Sequence, residues 1–172
     1  MTPYSCNNAA IDHDPTMAQE VFSEALALAL AQHATLHILQ VLYPLKSPYP
    51  DPLYLTLEGS LSSVNTEAFG AYVSRWRQVE QESLGHLKGY LERAQGVGLT
   101  AVISQRMGEP GREICDLAQE WSADLILLGR RGMKGLEELL LGSVSNFVMH
   151  RAHCAILIVQ GKVAEPISVG SH

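Results

Sequence analysis

Hydrophobic residues along the chain follow two patterns in turn, one typical of helices and one typical of buried strands. After Asp14-Pro15, which has the form of an N-cap with a first-turn proline, apolar residues recur at three- and four-residue intervals to about Gln32 and predict a first helix. The run 35–42 (TLHILQVL) predicts a largely buried strand. Prolines between positions 44 and 52 then open a loop that we expect to span residues 44–64.

Helical and strand patterns continue to alternate through the rest of the chain. A long second helix is predicted from near Asn65 to Gly96, although Gly70, Gly85 and Gly89 each weaken it by about 1 kcal/mol. The remaining expected elements are, in chain order, strand 99–104, a helix after the turn at 108–111, strand 124–128, helix 143–151 and strand 154–159. This alternation predicts right-handed βαβ crossovers and a parallel sheet in a single domain.

The segment 6–12 should supply the strand that precedes the first helix, and it fits that role poorly. Asn7 and Asn8 are unfavourable residues for a buried strand. A buried amide without a hydrogen-bond partner costs about 1–3 kcal/mol. Either these two side chains find partners, or the first strand is short and irregular.

Composition limits the classes of protein to which the chain can belong. Its 172 residues suffice for one domain with a substantial core, and a net charge of −6 argues against general nucleic-acid binding. Three cysteines without a C-x-x-C pair favour free thiols in a reducing compartment. The apolar run 25–31 is too short to cross a bilayer and lacks the flanks of a signal peptide. We therefore expect a cytoplasmic protein with no membrane contact.

A spaced glycine motif follows the apolar run 125–128. It consists of Gly129-Arg130-Arg131-Gly132, nine further residues, and then Gly142-Ser143-Val144-Ser145 at the start of a predicted helix. Glycines let the backbone turn tightly and bring N–H groups close to a ligand. A helix start offers unpaired N–H groups to an anion. The motif therefore favours a phosphate cradle, and the alternative is a tight turn followed by an ordinary helix cap.

The spacing of this motif resembles the signature of the universal stress protein family, which it meets at Gly129, Gly132, Gly142 and Ser143. The turn 108–110 and the strand end 39–41 are also similar, and the resemblance covers roughly residues 6–160. It implies an α/β fold of the adenine nucleotide alpha hydrolase type. That fold is a five-stranded parallel sheet in the order 3-2-1-4-5, with helices on both faces. Residues 1–160 would form the domain, including the 44–64 insertion, and residues 161–172 a C-terminal tail.

The resemblance also implies a ligand site in the crevice between the first and fourth strands, where the strand order reverses. The family's nucleotide-binding members hold ATP there. By position, Asp12 and Val41 would flank the adenosine, Val41 through its backbone. Ribose and phosphates would be surrounded by Gly129, Gly132, Gly142, Ser143, Val144 and Ser145, with added charge from Arg130 and Arg131. Mg²⁺ would accompany the triphosphate, and the choice between ATP, AMP and cyclic AMP stays open.

By the same resemblance, the chain would be a dimeric regulator of a stress response and not an enzyme. No Walker-type G-x-x-x-x-G-K-[S/T] is present, and Ser143 lacks the surroundings of a nucleophile elbow. His150, His153 and Cys154 lack a fourth ligand, so we predict no metal site from them. A homodimer would form across the edge of the last strand. The alternatives are an interaction module of the same fold that binds no nucleotide, and a slow ATPase.

Overall fold

The computed structural model describes residues 5–44, 66–130 and 142–160 of the chain, without the side chains of residues 66–68. Most of the 44–64 loop, Arg131, Gly132 and the tail at 161–172 lie outside these ranges. The described strands are β1 (Cys6–Ala10), β2 (Thr35–Leu42), β3 (Ala101–Met107), β4 (Leu125–Arg130) and β5 (Ala155–Gln160). The described helices are α1 (Pro15–Gln32), α2 (Thr66–Gly96), α3 (Pro110–Glu120) and α4 (Ser143–Arg151).

The strands form one sheet in the order β3-β2-β1-β4-β5, and every neighbouring pair is parallel. The predicted α/β architecture and strand order are therefore confirmed. The order reverses between β1 and β4, which places the crevice of the fold at the carboxyl ends of these two strands.

Two hydrophobic cores lie on opposite faces of the sheet. On one face, α1 and α2 pack against alternate strand residues, with Phe22 and Leu87 among the fully buried side chains. On the other face, α3 and α4 pack through Leu117 and Val148 against residues such as Ile126. Helices on both faces follow from right-handed crossovers that run outward from β1 in both directions.

The boundaries of β3 and β4 differ from those predicted. β3 begins at Ala101 and not at residue 99, because Gly98 adopts φ +82° and prolongs the turn after α2. It also continues beyond 104 to Met107, where its residues still pair with β2. β4 does not end at Leu128: both Gly129 and Arg130 pair with β5, so the strand includes the first two residues of the glycine motif.

The asparagine-containing segment does form a strand. β1 pairs along its length with β2 and over Asn7–Ala10 with β4, and the Asp124 carboxylate accepts hydrogen bonds from the backbone N–H groups of Ser5 and Cys6. Asn7 donates through Nδ2 to Oε1 of Gln32 at 3.0 Å. Asn8 is 1% exposed, and neither polar atom of its side chain has a partner among the described residues. The Oδ1 of Asn7 is also buried without such a partner, so backbone pairing on both sides outweighs the cost of three unsatisfied amide atoms.

Within the described part of the chain, none of the helices combines the length and the apolarity that crossing a bilayer requires.

Candidate functional site

Three of the predicted site residues follow paired strand positions at the carboxyl edge of the sheet. Ala10 of β1 pairs with Leu39 of β2 and with Leu128 of β4. Two residues further along each chain segment are Asp12, Val41 and Arg130. The fold therefore brings these residues, which are far apart in sequence, to neighbouring positions at the carboxyl edge.

The carboxylates that follow β1 are already engaged locally. Asp12, predicted to close β1, lies two residues beyond its end, and its Oδ1 accepts the backbone N–H of Asp14 at 3.1 Å and lies 2.8 Å from Nδ1 of His13. Asp14 caps α1 by accepting the N–H of Met17 at 2.9 Å. The positive end of the α1 dipole thus carries its own carboxylates, which disfavours an anionic ligand at this helix start.

The start of α4 has the opposite character. Gly142 occupies the N-cap position, and no side chain caps the helix there. A Cβ atom built on Gly142 would meet nothing within 4 Å among the described residues. The N–H groups of the first turn, at Ser143, Val144 and Ser145, have no intrahelical acceptors, as in any helix. This end of α4 can therefore receive an anion. Because α4 connects two parallel strands, its first turn lies at the carboxyl edge of the sheet.

Arg130 adds positive charge at the end of β4. Its side chain is half-buried, and its Nε is buried without a hydrogen-bond partner in the described part of the chain. A buried guanidinium N–H without an acceptor is costly. An anionic oxygen at this level of the sheet would satisfy it.

Gly129 has a packing role that the sequence did not reveal. A Cβ atom on Gly129 would overlap Cγ and Sδ of Met17 and lie 3.2 Å from Cγ2 of Val21. Both neighbours are buried residues of α1. The close approach of α1 to β4 therefore accounts for glycine at this position without any ligand.

A cavity of about 360 Å³ lies between the start of α1 and the middle of α2. Of the predicted site residues that the structure describes, Asp12 alone lines it. The lining residues come from the end of β1, from α1, from β2 and from α2: Ile11, Asp12, His13, Pro15, Ala18, Gln40, Gly85, His86, Gly89, Tyr90 and Arg93. Sequence reasoning missed the α2 wall, although Gly85 and Gly89 fall four residues apart on a helix and so share a face.

A buried polar chain connects this cavity to the sheet. Oε1 of Gln40 accepts a hydrogen bond from Oγ of Ser83 at 2.6 Å. The Ser83 hydroxyl accepts in turn from Nε2 of Gln105 at 2.7 Å, and that amide also donates to the backbone carbonyl of Glu80. These contacts fix the Gln40 side chain near the carboxyl end of β2.

The structure describes the two ends of the glycine motif and not its middle. Arg131 and Gly132 lie outside the described residues, so their predicted roles remain predictions. Across residues 5–44, 66–130 and 142–160, no group of three or more His, Cys, Asp or Glu side chains is arranged to hold a metal ion.

Comparison with known proteins identifies the family. The sequence model of the universal stress protein family matches residues 8–160. The chain belongs to the universal stress protein family. Universal stress protein Sll1388 of Synechocystis sp. is 35% identical over 145 residues, a match that covers 84% of this chain and 90% of that protein.

Solved structures with the same fold include nucleotide-bound universal stress proteins. Hypothetical protein MJ0577 superposes with a TM-score of 0.70 at 19% identity, covering 94% of this chain and 99% of that one. A universal stress protein in complex with cAMP superposes with a TM-score of 0.60 at 22% identity, covering 93% and 99%. At these identities the likeness concerns the fold.

Proposed function

We propose that this universal stress protein binds an adenine nucleotide, ATP, across the carboxyl ends of β2, β1 and β4. The observation that supports it most is the register of the sheet, which brings the segments that carry Asp12, Val41 and Arg130 together at the carboxyl edge, the edge at which the uncapped α4 also begins. A structural neighbour of the same family is a complex with cAMP, which is also an adenine nucleotide.

Charge fixes the direction in which the nucleotide lies. The carboxylates of Asp12 and Asp14 lie at the start of α1, whereas the start of α4 has first-turn N–H groups without a side-chain cap and begins at the same carboxyl edge at which β4 ends with Arg130. Phosphates are therefore stabilised at α4 and repelled at α1. The adenosine then lies toward Asp12 and Val41, where an uncharged nucleoside can hydrogen-bond to the carboxylate and to backbone groups without repulsion.

A magnesium ion would reach the site with the triphosphate. Mg²⁺ in nucleotide sites is usually held by phosphate oxygens, water and one or two protein oxygens. The described residues fit that arrangement, because Ser143 offers a hydroxyl at the first position of α4 and no protein cage is needed. The ion would neutralise phosphate charge there.

Gly142→Val tests the phosphate end of the site. The added side chain has room in the fold, yet it stands where phosphate oxygens would approach the first-turn N–H groups. Loss of one hydrogen bond to a charged group, worth about 1.5–3 kcal/mol, predicts an ATP complex that is weaker by about tenfold to hundredfold. Isothermal titration calorimetry with ATP and with adenosine measures it, and adenosine binding should not change.

Gly96→Val is the matched control, because its Cβ also meets open space but the residue lies at the far end of α2. The control should bind ATP like the unsubstituted chain. Equal ATP affinity of Gly142→Val and Gly96→Val would contradict a phosphate site at α4.

We further propose that the nucleotide serves regulation and not turnover. With the phosphates at α4, Asp12 and His13 lie at the nucleoside end and contact each other, so neither is placed as a base over the γ-phosphate. Burial raises the pKa of the Cys6, Cys115 and Cys154 thiols, which disfavours a thiolate nucleophile. Mass spectrometry of nucleotide released from the purified protein should find ATP intact, whereas magnesium-dependent accumulation of ADP would favour the slow ATPase.

We also propose a homodimer that forms across β5. This strand is an edge of the sheet, and its outer backbone groups have no partner strand among the described residues. Leu157 at its centre is 36% exposed, and Ala155 beside it is exposed as well. An apolar edge strand of this kind favours pairing with a second copy.

Leu157→Glu should convert the dimer to a monomer in sedimentation velocity at micromolar concentration. The charge would be buried without a counter-ion in the dimer, while the monomer leaves it in water. Val97→Glu, at an exposed apolar residue outside β5, is the control and should remain dimeric. A dimeric Leu157→Glu variant would assign the interface to another surface.

A further inference from the structure

Two buried polar side chains lie next to each other at the centre of the sheet. Asn8 of β1 pairs with His37 of β2, and side chains at paired positions of parallel strands lie on the same face. Asn8 is 1% exposed and His37 is 0% exposed. Among the described residues, no hydrogen-bond partner exists for Nδ2 and Oδ1 of Asn8 or for Nδ1 of His37. Buried polar atoms in native proteins bind other protein groups or ordered water, so this group of atoms indicates a bound molecule.

This pair lies on the face of the sheet that α3 and α4 cover. Ile126, which pairs with Asn8 on the other side of β1, belongs to the core beneath these two helices. The Trp121 ring at the end of α3 lies edge-on against His37, at a centroid distance of 4.3 Å. Because neither polar side chain reaches the solvent, a molecule bound between them must be small.

The spacing of the two strands suits a bridge of one small molecule. Neighbouring strands lie about 4.8 Å apart, and two successive hydrogen bonds of about 2.8 Å each reach across about 5.6 Å at most. Cys6 and Ala10, two positions to either side of Asn8 on the same face of β1, are small, so β1 itself does not fill the space beside the amide. The His37 ring is held from its other nitrogen, because Nε2 lies 2.8 Å from Oγ of Ser104.

Water matches the chemistry of these atoms. It both donates and accepts, so it can accept from Nδ2 of Asn8 and bind Nδ1 of His37 in either tautomer of the ring. Buried waters typically bridge two to four polar groups that have no other partner. A cation fits less well, because the Arg106 guanidinium lies close enough to lower the pKa of His37.

We propose that Asn8 and His37 bind an internal water molecule between the sheet and α3. The water bridges the side chains of β1 and β2 and satisfies one polar atom of each. This site explains how β1 accommodates asparagine in an otherwise apolar layer, and it is independent of nucleotide binding.

Contact between water and the Asn8 amide tests the site in the unsubstituted chain. In an isotope-labelled sample, the Nδ2 protons of Asn8 should show a nuclear Overhauser effect to water with the sign of a long-lived contact. The exposed amide of Gln78, which donates to Glu82 on the surface of α2, is the control in the same sample and should show the sign of a short-lived contact. No water contact at Asn8, or one as short-lived as that of Gln78, would overturn the inference.

Asn8→Leu removes the amide and keeps a side chain of similar size. Relaxation dispersion of the water oxygen counts long-lived internal waters, and the variant should lose one of them. Ile126→Leu is the matched control, since it alters the residue that pairs with Asn8 on β4 without removing a polar atom, and it should keep the full count. Circular dichroism establishes that both variants are folded. An unchanged count in folded Asn8→Leu would contradict a water bound to this amide, and if Asn8→Leu does not fold, the measurement on the unsubstituted chain decides.

Discussion

Gly129→Ala is expected to lower the free energy of unfolding by about 1–3 kcal/mol, although alanine normally favours a folded chain over glycine. The added Cβ overlaps the Met17 side chain and lies 3.2 Å from Val21. Both residues are buried, so α1 must shift or Met17 must leave a favourable rotamer. Overpacking of a buried contact costs energy in this range. Urea denaturation followed by circular dichroism measures the change.

A double-mutant cycle with Met17→Ala isolates this contact. Met17→Ala alone removes buried apolar volume and should cost about 2–5 kcal/mol. In its presence Gly129→Ala should cost nothing, since the space for its Cβ has been cleared. The two substitutions should therefore be non-additive by about 1–3 kcal/mol.

Gly70→Ala provides the control for glycine replacement in general. Its Cβ meets open space within a helix, so the variant should be more stable by about 0.5–1 kcal/mol. If Gly129→Ala were stabilised to the same extent, α1 would not require glycine there. Ligand approach would then become the physical reason for glycine at position 129.

Gly129 shows how a sequence motif can predict the right region for a reason that is only partly correct. The motif located the end of β4, and the family it indicated is confirmed. A sequence alone does not distinguish a glycine required for the approach of a ligand from one required for the packing of a helix, because the residue is the same in both cases. Here the packing of α1 against β4 is visible, and phosphate contact at Gly129 stays a prediction.

The alternation of elements was predictable because local patterns determine it. The bounds of β2 and α4 agree with the periodicity, and the Asp14 cap begins α1 as expected. Non-local contacts were not predictable. β4 extends through Arg130 because β5 pairs with it, and the sequence contains no local signal for that pairing.

The cavity wall and its polar chain were missed for the same reason. Gln40, Ser83 and Gln105 belong to three elements, and their hydrogen bonds exist only once β2, α2 and β3 have packed together. Trp121 shows the same effect, since helical spacing places it on the apolar face of the helix with Ile114 and Leu117. It instead ends α3, is 43% exposed, and places its ring edge against His37.

His37 is the buried group through which acid should act most strongly on the fold. It is 0% exposed on β2, its Nε2 lies 2.8 Å from Oγ of Ser104, and Trp121 contacts its ring at a centroid distance of 4.3 Å. Its Nδ1 is buried without a partner among the described residues. Burial, and secondarily the Arg106 cation, lowers the pKa of His37 to about 4, while Glu120 opposes the shift.

Stability should therefore fall as pH decreases from 6.5 to 4. Above pH 6.5 the imidazole is largely neutral in both the folded and the unfolded chain, so its titration does not affect the free energy of unfolding. Below that pH the unfolded chain takes up a proton that the folded chain excludes, which costs about 1.4 kcal/mol per pH unit and about 3 kcal/mol in total by pH 4. Urea unfolding at half-unit steps from pH 7 to 4.5 measures this slope before most carboxylates titrate.

His37→Gln removes the titration and keeps an amide that can hydrogen-bond to Ser104. Because the substitution itself changes the free energy of unfolding at pH 7, the comparison uses the slope of the unfolding free energy against pH for each protein and not its absolute value. The slope of the unsubstituted chain should exceed that of the variant by about 1.4 kcal/mol per pH unit between pH 6 and 4.5. Identical slopes would mean that His37 is protonated in the folded chain as readily as in the unfolded one. Opening of the Trp121 contact would then give its ring access to water or to an acceptor.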